Sequence, residues 1–506
     1  MKLLPLIRLR QPGGAYIYPM RTWAFALVLL PVMLQAQHLK NGGFEVLPDT
    51  GSFRPRFWWV SDGLQVQPST ERPAEGVRAL HIHGEATPNA PGHLLQNDTS
   101  RYTGLHKLRI AARVKVNSGE EGVELFAYST TEEGGTLNYQ VVRPQGEAPQ
   151  SEWEELVLTF WVNEQVRSLR IGLQLKSTVD LLVDDFRVQE LPRKDSPVAP
   201  ELARYADEVF TLIKEHSLYR STIDTIALRG QLSQLLADGR SVADFQAVAN
   251  FFLKFVDKHS FYWSKAEVEA WRGADTDDLE APIPAVAFDF PITSGNLIGD
   301  DVAYLNMPQF NSGNAAWDTY FADTLHGLIR ALDRPGLKGW VLDLRGNMGG
   351  NCWPMLAGIG PVLGSGVCGY FGADADRSDW SYGEGRSLMD DSAQCSVSRA
   401  PYTLLAPDPR VAVITGPSTA SSGEVVAVAF RARPGARSFG APTAGYSTTN
   451  TNFELSDGAM LFLATSVYVD RAMNAYGAEL PPDEPVPDTK EGDAALERAV
   501  QWLRSQ

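Results

Sequence analysis

The 506-residue sequence predicts a multidomain fold: an N-terminal all-β jelly-roll sandwich over 38–192, a linker and small helical subdomain over 193–265, and a C-terminal α/β core over 266–506. Three changes of pattern predict it. Short alternating apolar runs fill the first part, the apolar spacing becomes helical after residue 200, and strand-like and helix-like runs alternate from about residue 285. A chain of this length exceeds one ordinary domain.

The elements follow in order. Residues 1–37 are expected to be a signal peptide region: Met20 and Arg21 open a short charged stretch, 24–34 (AFALVLLPVML) is a compact apolar run, and Gln35-Ala36-Gln37 offers a cleavage site. The run is shorter than the ~20 apolar residues a membrane span needs. The expected product is therefore exported (periplasmic, cell-surface or secreted), with no transmembrane span after cleavage. Within 38–192, runs at 108–116, 123–128, 155–162 and 168–176 alternate apolar and polar residues between Gly-, Pro- and Asn-rich turns, as in a sandwich. Trp58 and Trp59 are adjacent, so at most one of them faces the core of a strand. The other is either a platform for a sugar ring or packing under a loop.

The stretch 192–200 (PRKDSPVAP) is a Pro-rich polar linker. Leu202, Tyr205, Val209, Phe210 and Ile213 then keep helical spacing, and 224–236 and 242–256 continue it. The α/β core reads as strand 302–308, helix 316–332, strand 339–344, strand 411–415, helix 424–433 and strand 460–468, a largely parallel arrangement. Residues 367–400 lack clear periodicity and are read as a surface insertion or lid.

Composition narrows the function. A formal net charge of −16 argues against nucleic acid and against a polybasic membrane patch. The three cysteines, Cys352, Cys368 and Cys395, are an odd number; Cys368 and Cys395 either pair across their loop or are small buried hydrophobes. No Cys/His spacing suggests zinc, and His81 with His83 is what an alternating strand presents by chance.

Three segments of the last half could carry chemistry: 257–261 (DKHSF), 343–351 (DLRGNMGGN) and 419–424 (TASSGE). Each also has a plain structural reading. His259 could be a helix-end residue facing the dipole. The glycine turn could be a flexible loop, and it lacks the P-loop Lys-Ser/Thr. Ser421 with Glu424 fits a capping box. Together they read differently. A serine nucleophile needs a base to take its proton and donors for the tetrahedral oxyanion. His216 and His326 fall inside predicted helices, whereas His259 sits at a helix-to-loop junction. The glycine turn and Ser421 both follow strands, at the carboxyl ends where open α/β sheets bind ligands.

DKHSF, YLNMPQF (304–310), DLRGNMGG, TASSGE with TAGY (443–446), and PPDEPV (481–486) together resemble the C-terminal-processing (tail-specific) serine peptidases, over roughly residues 200–490. TASSGE followed by APTAGYSTTN is most similar to the nisin-resistance-protein branch and its tricorn-type relatives. The resemblance implies a ClpP/crotonase-like peptidase core and an exported serine endopeptidase that needs no metal or cofactor. Tyr446 stands where tail-specific members carry a lysine base, so the implied base is His259, acting on Ser421. Ser422 and Gly349 or Gly350 are the implied oxyanion donors, Glu424 an orienting or capping residue, and Glu479 a late glutamate of the tricorn type. Asp257 is an alternative partner for the histidine. Only 262–300 lie where many family members insert a PDZ domain, too few for that module. The opening NGGFE (41–45) and closing LLVDDFRV (181–188) of the sandwich resemble carbohydrate-binding jelly rolls and imply a possible glycan partner beside the peptide or protein substrate. The competing reading is a non-catalytic ligand- or glycan-binding protein on a peptidase fold.

Overall fold

The computed structural model describes residues 39–46, 55–87, 90–119, 122–132, 134–192, 197–237, 239–273, 293–372, 377–487 and 492–505. The expected signal region, 1–37, lies outside the described residues.

The N-terminal part consists of β1 (Trp59–Val60), β2 (Leu64–Ser69), β3 (Ala79–Gly84), β4 (Gly92–Asp98), β5 (His106–Ser118), β6 (Val123–Thr130), β7 (Thr136–Val142), β8 (Glu154–Val162), β9 (Ser168–Leu175) and β10 (Val179–Leu191). They form two five-stranded antiparallel sheets, ordered β1-β4-β9-β6-β7 and β2-β3-β10-β5-β8. The period of two drives this: Leu169, Ile171, Leu173 and Leu175 of β9 and Leu108, Ile110, Val114 and Val116 of β5 are all fully buried in one core. Each such side chain contributes roughly 1.5–3 kcal/mol of transfer free energy. Trp58 points inward, with its ring centroid 5.3 Å from Phe44 and 4.6 Å from Phe186, while Trp59 is 52% exposed. The two ends of the sandwich sequence thus meet at Trp58. Gly42 permits this closure, because a Cβ there would lie 2.1 Å from the Phe186 carbonyl oxygen.

Helices α1 (Pro200–His216), α2 (Thr225–Leu235) and α3 (Val242–Leu253) follow. Pro200 starts α1, and Asp224 caps α2 by accepting the Ile226 and Ala227 N–H groups, each at 3.0 Å. Their apolar faces join the sandwich core in one continuous cluster.

The remaining elements are β11 (Phe261–Trp263), α4 (Lys265–Gly273), β12 (Ser294–Ile298), β13 (Val302–Asn306), α5 (Ala315–Leu332), β14 (Gly339–Asp343), α6 (Cys352–Leu363), β15 (Gly366–Phe371), β16 (Ser378–Gly383), β17 (Arg386–Met389), β18 (Ser392–Ser396), β19 (Val411–Thr415), α7 (Ser422–Ala429), β20 (Ala436–Gly440), β21 (Thr448–Glu454), β22 (Met460–Asp470), β23 (Glu484–Pro485) and α8 (Ala494–Arg504). A six-stranded sheet runs β12-β13-β14-β19-β20-β23, parallel except at β12. Leu305, Leu342 and Val413 of one face pack on α5, α6 and α7; Val302, Val341 and Ile414 of the other pack on α8. Burial on both faces explains the near-continuous apolar runs of these strands.

Two sequence expectations change. Residues 367–400 are not a detached lid: β15 to β18 extend the sheet of β22 as an antiparallel ribbon, and Trp380 within it is fully buried. Helix α7 ends at Ala429 instead of 433, before Pro434, a residue that cannot continue the backbone hydrogen-bond ladder. Cys352, Cys368 and Cys395 are all free and buried, so the Cys368–Cys395 bond is absent. His81 and His83 flank the Asp180 carboxylate, at 3.1 and 3.7 Å.

Candidate active site

Strands β14 and β19 are hydrogen-bonded neighbours and parallel, so the segments after them emerge side by side. After β14 the chain makes the glycine turn 346–350; after β19 it enters the elbow that opens α7. Three hydrogen bonds join the two. Ala420 N–H donates to the Asn347 carbonyl (3.0 Å), the Thr419 hydroxyl to the Leu344 carbonyl (2.8 Å) and the Ser422 hydroxyl to the Gly350 carbonyl (2.6 Å).

Ser421 sits at the elbow with φ 50° and ψ −116°, a conformation costing about 1–3 kcal/mol for a residue with a Cβ. Glu424 holds it there. Its carboxylate accepts the N–H groups of Ser421 (2.9 Å), Tyr446 (2.7 Å) and Gly445 (3.0 Å) and the Thr443 hydroxyl (2.5 Å). Burial pushes the Glu424 carboxyl up to about 7 against the pull of these bonds. The capping box between Ser421 and Glu424 is therefore present. The serine hydroxyl also meets the imidazole: Ser421 Oγ lies 3.0 Å from His259 Nε2.

His259 arrives from the junction between α3 and β11, and β11 pairs with β22 of the core. Asp257 caps this junction by accepting the His259 N–H (2.7 Å) and the Ser260 N–H (2.6 Å), so it fixes the backbone and not the ring. The ring's other nitrogen, Nδ1, is 2.7 Å from the Thr448 hydroxyl. Tyr446 meets the imidazole edge-on at 5.2 Å. Burial first, then the positive charges of Lys254 and Lys258, lower the imidazole from 6.5 to about 4.

The glycines divide their tasks. The Gly349 N–H donates to Asn347 Oδ1 at 3.0 Å and is not available as an oxyanion donor. Its role is steric: φ is +113°, and a Cβ there would stand 2.8 Å from Ser421 Cβ. The N–H groups of Gly350 and Ser422 have no hydrogen-bond acceptor among the described residues. Glu479 does not join His259 or Ser421. It faces Lys258 Nζ at 3.6 Å, and that same amine donates to the Ala444 carbonyl (3.1 Å). Glu424 also makes no bond to Ser421 Oγ or to the imidazole. His216 stacks on Phe453, and His326 is a buried acceptor for the Tyr402 N–H, so both are structural.

Thr448 escaped the sequence reading, as did the two lysines that depress the imidazole. A hydroxyl residue at the start of a strand carries no signal by itself; only its position after the TAGY turn points to it. A cleft of about 850 Å³ opens over Ser421, His259, Gly350 and Ser422. Among the described residues, no three His, Cys, Asp or Glu side chains are grouped as a metal site, and no helix is long and apolar enough to cross a membrane.

Comparison with known proteins finds the following similarities. Residues 301–486 match the model of peptidase family S41. The nisin-resistance protein of Lactococcus lactis subsp. lactis is 28% identical over 202 residues, which are 40% of this chain and 60% of that protein. The chain thus aligns with about 60% of the length of this curated relative. A lipoprotein from Streptococcus agalactiae is similar over 62% of this chain and 99% of its own, with 22% identity and a TM-score of 0.48. The CBM22-1 xylan-binding domain of Xyn10C from Paenibacillus barcinonensis is similar over 30% of this chain and 94% of its own, with 18% identity and a TM-score of 0.25. The residues that match peptidase family S41, 301–486, hold both the glycine turn and the Ser421 elbow.

Proposed function

We propose that the protein is an exported serine endopeptidase in which Ser421 and His259 form the catalytic dyad on a ClpP/crotonase-like core. One observation carries the reading: the Ser421 hydroxyl, held at a strained elbow, is hydrogen-bonded to His259 Nε2 at 3.0 Å. With the Nδ1 proton donated to Thr448, Nε2 is the acceptor and removes the Ser421 proton as Oγ attacks a peptide carbonyl. The Gly350 and Ser422 N–H groups receive the oxyanion. The imidazolium then protonates the leaving amine, an acyl-serine remains, and water activated by the same imidazole releases the acid. Glu424 acts through the elbow and the TAGY turn and touches no reacting atom. A fluorophosphonate probe tests the reading: labelling of wild type, abolished in Ser421→Ala, is expected. Undiminished labelling and peptide cleavage in Ser421→Ala would refute it.

For the N-terminal domain we propose a jelly roll that binds glycan on the outer face of β1-β4-β9-β6-β7. There Trp59 (52% exposed) approaches His93, and Tyr139 (45% exposed) meets Tyr128 edge-on at 6.2 Å. Glycan-array binding that is lost in Trp59→Ala supports this; an array that stays silent argues against it.

A further inference from the structure

The cleft extends beyond the dyad along a three-stranded surface whose register divides it into two halves. Strand β22 lies between β11 and β21, with Phe261 opposite Phe462 on one side and Asn452 opposite Phe462 on the other. Directly paired residues share a face. The cleft side of β11 and β22 is therefore aromatic, and the cleft side of β21 carries amides. On the aromatic half, Phe261 stacks on Phe462 at 4.3 Å with 13° between the planes. Trp263 meets Phe462 edge-on at 4.8 Å, and Trp271 of α4 stands 5.8 Å from Trp263. All four line the cleft that holds Ser421 and His259.

The cleft also holds polar atoms that have no partner among the described residues. On the amide half, Asn450 Nδ2 donates to the His259 carbonyl at 3.2 Å, which fixes the amide, while its buried Oδ1 has no such partner. The buried Thr449 hydroxyl and, on the aromatic half, the Trp271 indole N–H likewise have none among the described residues, and both line the same cleft. Buried polar groups are ordinarily satisfied, so three such atoms on one cleft point to a missing ligand with its own donors and acceptors. Among the described residues, β21 pairs only with β22, so its second edge is free to take an extended chain.

We propose that this surface is a specificity subsite: it takes a bulky apolar, above all aromatic, side chain of an extended peptide onto the Phe261/Phe462/Trp263 floor, while Asn450 Oδ1 accepts a backbone N–H of the same peptide. The proposal rests on the peptidase reading of the cleft and adds the substrate class to it. Its geometry is economical, since Asn450 is tied to the residue that carries the base. A peptide gripped there is held beside the Ser421–His259 pair.

The test uses the full chain carrying Ser421→Ala, which binds without turnover, and fluorescein-labelled peptides in which a single Phe is moved through an otherwise Ala/Gly sequence. Affinity by anisotropy is expected to rise about tenfold or more at one position of the Phe. Phe462→Leu and Trp263→Ala in the same background should flatten that maximum, and Asn450→Ala should weaken all of the peptides together. Equal affinity at every position, or no binding of any peptide, overturns the subsite. The dyad is read separately, by fluorophosphonate labelling of the wild type. Labelling with no Phe preference removes this proposal alone; absence of labelling removes the peptidase reading.

Discussion

The environment of His259 makes a quantitative prediction about pH. An ordinary imidazole titrates near 6.5, whereas burial and the charges of Lys254 and Lys258 bring this one to about 4. The general base must be neutral, so kcat/KM should fall on acidification with an apparent pKa near 4. At pH 5 a base of pKa about 4 is still about 90% neutral, whereas one of 6.5 is about 3% neutral, a difference of roughly thirtyfold in rate. Lys254→Met removes a positive charge that opposes imidazole protonation, so the acid limb should move up. Lys258→Met acts in the same direction, although the Glu479 carboxylate 3.6 Å from its amine already offsets part of that charge. The assay is the second-order rate of a fluorogenic peptide from pH 3.5 to 8 at constant ionic strength, with stability checked at each end. An acid limb near 6.5 in the wild type would refute the buried, lysine-flanked base. A limb near 7 that Lys254→Met does not move would follow the Glu424 carboxyl instead, which titrates at about 7.

Four other outcomes follow from the geometry. Thr448→Val removes the Nδ1 partner of His259 and should lower kcat by about tenfold for roughly 1–2 kcal/mol, with recovery in Thr448→Ser; equal rates in all three proteins would show that Thr448 does not orient the ring. Gly349→Ala places a Cβ 2.8 Å from Ser421 Cβ at φ +113°, and should cost about 1–3 kcal/mol in urea unfolding together with most of the peptidase rate. Glu424→Gln turns an amide donor toward backbone N–H groups, so stability should drop by about 1–3 kcal/mol and Ser421 should label more slowly; unchanged values would mean the carboxylate's four bonds do not hold the elbow. Glu479→Gln, remote from the dyad's hydrogen bonds, should leave kcat within about threefold of wild type, and a loss of several orders of magnitude would return this glutamate to the site.

Strands β13, β14 and β19 were legible because each is a short apolar run followed within three residues by Gly or Pro, and the helical subdomain because Leu202 to Ile213 keep one period, whereas β12, β20 and β21 gave no such signal. The serine elbow and the glycine turn were legible as motifs, since strand-to-turn junctions of small residues have few other uses. What joins them is not local. Thr448 lies 189 residues from His259, and no periodicity links the two. Strand β11 has three residues, too few to show alternation, although it is the element that carries His259 to the core. Residues 367–400 looked irregular because their strands are short and buried only in part, so polar and apolar positions do not alternate cleanly. The choice between Gly349 and Gly350 depended on the Asn347 side chain, whose acceptance of the Gly349 N–H is a tertiary fact. The pairing of Glu479 with Lys258 is likewise a tertiary contact that no local pattern shows.

The central claim is that Ser421 is a nucleophile activated by His259. The direct measurement is active-site labelling of the full chain with a fluorophosphonate, followed by peptide mass mapping of the modified residue. The account predicts a single adduct on Ser421, lost in Ser421→Ala and slowed by several orders of magnitude in His259→Ala. An unlabelled wild type, an adduct on another serine, or labelling in His259→Ala at the wild-type rate would contradict it.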